Sequence, residues 1–173
     1  MAITRNQVIA VLPQILTPDI RSVIRQGIED GLVACDTLDE NNREVLGDYA
    51  TNIQTRNLFS AICAELQKVI NTSSCGLKAC SHKKTSTTYI EIEAPNLVMH
   101  LRNEVSELPQ YAKEKLSNNT TFALGKTNYI QLVYKATKGE ILEEVSYLVM
   151  DKDENDVYRE VIEGSWSKEN LSA

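Results

Sequence analysis

Glu91 and Glu93 stand two residues apart in Tyr89-Ile90-Glu91-Ile92-Glu93. Side chains alternate along a strand, so this spacing sends both carboxylates to one face. Such a pair can hold a divalent cation or share acid–base work. A metal-dependent nuclease adds a lysine near the phosphate. Lys135 is the residue available for that role, although the acid of a D/E-x-K motif is missing before it. Alternating charge on a solvated sheet face explains the same pattern without chemistry.

A second cluster is Cys75-x4-Cys80-x-His82. Thiolates and imidazole suit zinc, with Cys63 or His100 as a fourth ligand. The paired C-x2-C spacing of a zinc ribbon is absent, so the cluster also reads as a loop that happens to hold two thiols. A Cys75–Cys80 disulfide is the other option, and a reducing compartment disfavours it. Cys35 and Cys63 fall in helical patterns and read as small packing residues. Lys78, His82, Lys83 and Lys84 make a basic run that could meet phosphates. With no arginine beside it and only Tyr89 to stack, the run does not support sequence-specific nucleic-acid recognition.

The third constellation is acidic: Glu140, Glu143, Glu144, Asp151, Asp153, Glu154 and Asp156. Residues 139–173 carry 10 Asp/Glu against 3 Lys/Arg, whereas residues 71–138 carry 5 against 9, in a chain of net charge −6. A basic middle and an acidic end can neutralise each other across a fold, or can present a field to a partner. Asp151–Asp156 mimics the start of a calcium loop but has Asp156 where glycine is required and Ile162 where a bidentate glutamate is required. Gly125-Lys126-Thr127 lacks the first glycine of a phosphate loop. His82 and His100 have no partners at the spacing of a catalytic triad.

Which elements would position these groups? Thr17-Pro18-Asp19 is a helix start, with a cap, a proline at the first helical position and an acid at the positive pole. Ile20, Val23, Ile24 and Ile28 continue on one face, Gly31 marks the end, and residues 36–42 read as a polar loop. Before it, Val8, Leu12 and Ile15 form a stripe that Pro13 should kink or divide. Leu58, Phe59, Ile62, Leu66, Val69 and Ile70 predict a further helix. Residues 71–87 have no period and read as a long loop. Strands follow at 89–93, 97–102, 129–136, 142–150 and 157–162, with a short helix inside 106–119.

Helices first and strands afterwards predict an α+β class, with N-terminal helices on one face of a mostly antiparallel sheet of about four or five strands. Glu91, Glu93, His100, Arg102 and Lys135 belong on the other face. The expected organisation is one domain over 1–163 (helical to 70, loop to 87, strand-rich from 88) and a flexible tail over 164–173. No apolar run is long enough for a membrane span and no secretory signal is present, so the cytoplasm is the expected location. No residues assemble a catalytic site, and no cofactor is called for. The expectation is a binding or regulatory protein whose acidic C-terminal surface docks on a basic surface of another protein. That partner could be a nucleic-acid enzyme inhibited by a phosphate-mimicking patch. The alternatives are a nuclease-like hydrolase using Glu91, Glu93 and Lys135, and a nucleic-acid module using the Lys78–Lys84 run.

Overall fold

The computed structural model describes residues 2–48, 54–84, 87–137, 141–164 and 166, without the side chains of residues 54–57, 137 and 141. Three helices precede the sheet: α1 (Arg5–Ile15), α2 (Pro18–Leu46) and α3 (Gln54–Thr72). The strands are β1 (Lys78–Lys84), β2 (Thr87–Ala94), β3 (Leu97–Asn103), β4 (Asn128–Thr137), β5 (Ile141–Met150) and β6 (Asp156–Val161), with α4 (Gln110–Ser117) between β3 and β4. Strand order in space follows the chain from β1 to β6. Every pairing is antiparallel except β3 with β4, which is parallel. The class is α+β, with helices first and sheet afterwards. No described helix is long and apolar enough to cross a membrane.

Local chemistry accounts for the helix starts. Thr4 and Gln7 form a reciprocal capping box ahead of α1. Thr17 caps α2 through the amide of Ile20, with Pro18 and Asp19 in the first turn. Pro13 does not divide α1, which continues to Ile15.

Two expectations about α2 need correction. Gly31 is not its end, and residues 36–42 are helical rather than a loop. The reason is tertiary. A β-carbon on Gly31 would lie 2.6 Å from the Cα of Ile62, and one on Gly27 would lie 2.9 Å from the Cα of Leu66. The two glycines let the backbones of α2 and α3 approach closely in an antiparallel hairpin. At roughly 1.5 Å per residue α2 is about 43 Å long, and its polar second half is a solvated helical surface.

The core lies between the helices and one sheet face. Val8, Leu12, Ile24, Ile28, Ile62, Leu66 and Ile70 pack on Ile90, Ile92, Met99, Ile130, Leu132 and Tyr147. A smaller core on the opposite face joins Tyr111, Ala112 and Leu116 of α4 to Tyr129, Val133, Leu148 and Met150.

The sheet has one strand more than expected, because the segment read as a loop over 71–87 contains β1. Only Ala79 is buried in that strand, so the alternation that announces a strand is nearly invisible. Lysines on an edge strand discourage pairing with a foreign strand, which explains Lys78, Lys83 and Lys84 there. Asn71, at the end of α3, fastens β1: its side chain donates to the carbonyl of Ala79 and accepts from its amide. The short-connection rule fails at β3–β4, where α4 and its flanks form a crossover and allow a parallel pair. The expected turn at Lys138-Gly139 lies outside the described residues, as does the expected tail apart from Gly164 and a buried Trp166.

Candidate functional site

Strand register builds one continuous row across the sheet: Cys80 opposite Glu91, Glu91 opposite His100, His100 opposite Gln131, Gln131 opposite Leu148, and Leu148 opposite Arg159. Directly paired residues share a face, and this is the face turned away from α1–α3. Glu91, Glu93, His100, Arg102 and Lys135 all lie on it, as the alternation requires. The helix α4 covers the middle of this face, leaving polar clusters on either side.

Towards β2 the centre is His100, which is only 1% exposed. Its Nε2 lies 2.8 Å from Glu91 Oε2, and its Nδ1 lies 2.9 Å from the Tyr129 hydroxyl. Burial pushes the pKa of His100 below its ordinary value and outweighs the opposing pull of Glu91, so the ring is neutral. Glu91 is itself pushed up by burial, but hydrogen bonds with Glu93 and His100 win and hold it below the usual carboxylate range. Glu93 is raised, chiefly because it shares a hydrogen bond with Glu91. Burial also raises Tyr129, which keeps its proton. One proton order satisfies all of these. Tyr129 O–H donates to Nδ1, the Nε2–H donates to ionised Glu91, and of the two carboxyls Glu93 is the one that takes up a proton first as pH falls. Tyr89 stacks on Tyr111 at 3.8 Å between ring centroids, with His82 stacked beyond it at 5.8 Å. His82 Nε2 is 3.9 Å from Glu91 Oε1.

In the middle, buried Arg102 donates to Gln131 and lies 3.9 Å from the Met150 sulfur. Towards β6 the centre is Arg159. It donates to Glu104 and lies 3.5 Å from both Glu144 and Asp156, while Lys135 Nζ is 3.9 Å from Glu104. Three carboxylates therefore converge on one guanidinium. Burial raises Glu104, but Arg159 outweighs it and holds the carboxyl below its ordinary range.

The residues singled out in the sequence separate into groups. Glu91 and Glu93 meet as a pair, but Lys135 is four residues along β4 from the row of Glu91 and six from the row of Glu93, about 13 and about 20 Å, and faces Glu104 instead. Cys80 and His82 project from β1 on the Glu91 side. Cys75 precedes the strand, contacts Ser73 and packs on the helical core. Among the described residues no group of three or more His, Cys, Asp or Glu side chains is arranged to hold a metal ion. Within the basic run, Lys84 pairs with Glu114 of α4. Asp151 fastens its own turn, its Oδ1 accepting from the amides of Asp153 and Asn155 at 2.9 Å. Asp153 and Glu154 are exposed at the tip of that turn, Glu143 is exposed on β5, and Glu140 lies outside the described residues. Arg159 and Tyr129 are the functional-face residues that the sequence reading missed. The alternation of β4 placed Tyr129 beside Gln131, but nothing local announced that Arg159 would gather three acids from separate segments.

Strand order also separates the charges. The basic strand β1 and the acidic strand β6 are opposite edges of a six-stranded sheet. Five inter-strand spacings put them roughly 24 Å apart. That is more than twice the Debye length of about 8–10 Å at physiological salt.

No protein-family model, no curated protein and no solved structure matches the chain.

Proposed function

We propose that this is a non-enzymatic binding or regulatory protein whose acidic β5–β6 edge docks on a basic surface of another protein. The observation that carries the reading is the separation of the two charged edges. The lysines of β1 are too far away to neutralise the carboxylates of β5–β6, whose nearby cations are Arg159 at Glu144 and Asp156, Arg21 at Glu160 and Lys152 in the turn. Asp153 and Glu154 extend the negative field into solvent at the tip of the turn. A field of this kind acts mainly by steering association and selecting an oppositely charged partner. If the partner is a nucleic-acid enzyme, carboxylates presented in this way occupy the place of phosphates. The most reactive-looking groups support the same reading. Glu91, His100 and Tyr129 satisfy one another beneath α4, as a structural network does.

The test is charge reversal. Asp153→Lys with Glu154→Lys changes the exposed tip without touching Arg159, and Glu143→Lys extends the change along β5. A protein captured on the wild-type chain from native lysate is purified and rebound to each variant. Association should slow by about tenfold or more for the double variant, and the salt dependence should flatten. Rebinding at the wild-type rate and salt dependence removes the proposal.

A further inference from the structure

We propose that the cavity between α3 and the β1–β2 hairpin, on the helical side of the sheet, binds a small uncharged molecule built on an apolar ring. Its volume is about 220 Å³. A cavity of about 150 Å³ is enough to hold benzene, so this one takes a single substituted ring. It lies at the β1 edge of the sheet, away from β6, and does not involve the acidic surface. Three features point to that class of ligand.

The first is how the space arises. Phe59 and Gln67 stand about two turns apart on α3, and Ser60, Cys63 and Ala64 are the lining residues between them. Ser81 and Thr88 face them from the hairpin. Side chains this small leave a gap that no neighbour fills. The β2–β3 ladder also ends at Glu91 opposite His100, whereas the β1–β2 ladder runs on to Lys84 opposite Thr87. Around Thr88–Ile90 the hairpin is therefore without β3, and the amide of Ile90 meets the Cys63 sulfur.

The second is the absence of charge. No charged residue lines the cavity. Glu65 and Lys68 of α3 pair with each other, and Lys84 is taken by Glu114. Lys83, opposite Thr88 in register, is exposed and does not line the cavity. Burial pushes the Cys63 thiol up to about 12 and raises the Tyr89 hydroxyl, so both titratable lining groups are neutral at physiological pH. An ion entering here would lose water without gaining a counter-charge. The third is a set of free polar groups. Ser60, Gln67, Ser81 and Thr88 sit beside the apolar wall of Phe59, Cys63, Ala64 and Ile90, and none of the four polar side chains makes a hydrogen bond among the described residues. Hydroxyls and an amide both donate and accept, which suits a hydroxyl or carbonyl substituent on the ring.

The test is an amide-resolved NMR titration of the full chain with probes of one size and different charge: benzyl alcohol, benzoate and benzylamine. Benzyl alcohol should shift the amides of Ser60, Ala64, Ser81 and Thr88 and reach saturation, with each charged probe weaker by about fivefold or more. Ala64→Phe fills the cavity from an exposed helical position. It should abolish saturation while leaving the thermal midpoint without ligand close to wild type. In the wild-type chain, benzyl alcohol should slow the reaction of Cys63 with methyl methanethiosulfonate several-fold and leave exposed Cys80 unaffected. Absence of saturable shifts at these amides, an unprotected Cys63, or wild-type affinity in folded Ala64→Phe overturns the site. Benzoate or benzylamine binding as tightly as benzyl alcohol overturns the preference for an uncharged ligand.

Discussion

His100 and Glu91, on adjacent strands and directly opposite in register, are joined by a 2.8 Å hydrogen bond in which a neutral imidazole donates to an ionised carboxylate. The pair ties stability to pH. The pKa of His100 is lower in the folded chain than in the unfolded one, so between those two values the unfolded chain binds more protons and acid favours unfolding. The contribution is fully present above about pH 6.5, the unfolded value, and is lost as pH falls below it. Glu91, also lowered, adds a loss in the same direction in the carboxylate range, while Glu93, raised, works in the opposite sense there. The thermal midpoint should therefore hold steady from pH 8 to 7 and begin to fall near 6.5. His100→Gln should lower the midpoint at neutral pH and abolish the onset near 6.5. A variant that retains that onset would assign it to another group.

Gly31 and Ile62 set the distance between α2 and α3. Alanine is the better helix former by about 1 kcal/mol. At Gly31 the added methyl would meet backbone atoms of Ile62 from 2.6 Å, and backbone cannot rotate away. Overpacking of this kind costs about 1–3 kcal/mol. Gly31→Ala should therefore be net destabilising in urea unfolding, whereas Gly125→Ala has open space around it and is disfavoured only by its φ of 78°. Equal or greater stability for Gly31→Ala would show that the helices can separate at little cost.

Arg159 gathers Glu104, Glu144 and Asp156. Replacing it with leucine leaves three carboxylates facing one another beside Lys135. The expected cost at pH 7 is about 1–2 kcal/mol, discounted because the groups are partly solvated. The folded-state pKa of Glu104 is lowered, so its share of stability is present above the unfolded value and lost as pH falls through the carboxylate range. The gap between wild type and Arg159→Leu should narrow from pH 7 to pH 3.5. A gap that stays constant would assign the loss to packing of the arginine stem.

Asn128 is fully buried and shapes the approach to β4. Its Nδ2 donates to the carbonyls of Asn96, Ala123 and Lys126, and its Oδ1 accepts from the amide of Ala123. Asn128→Asp keeps the shape but turns an oxygen towards three carbonyls. It should destabilise by about 2–3 kcal/mol, the scale of an unsatisfied buried polar group. Asn128→Asp with wild-type unfolding would mean that water or a retained proton replaces the amide.

Much of the fold was legible because it rests on local rules. The cap at Thr17, the stripe from Leu58 to Ile70 and the alternation in β2 and β3 each follow from covalent geometry and from which face must leave water. These placed Glu91, Glu93, His100, Arg102 and Lys135 together on one sheet face. Local rules failed where a distant partner does the stabilising. Gly31 reads as a helix stop because glycine is a poor helix former, and Ile62 makes it a contact. Residues 78–84 read as a loop because an edge strand buries little of its own.

By itself, then, the sequence determined most of the elements (not β1 or the second half of α2), the α+β class and the segregation of charge along the chain. Tertiary structure alone decided that Arg159 would hold three acids, that Tyr129 would complete the chain through His100 to Glu91, and that the basic and acidic segments would lie on opposite edges. The physical reason is range. Backbone preferences and side-chain periodicity act over a few residues, whereas strand order and register bring together groups that no spacing in the sequence relates.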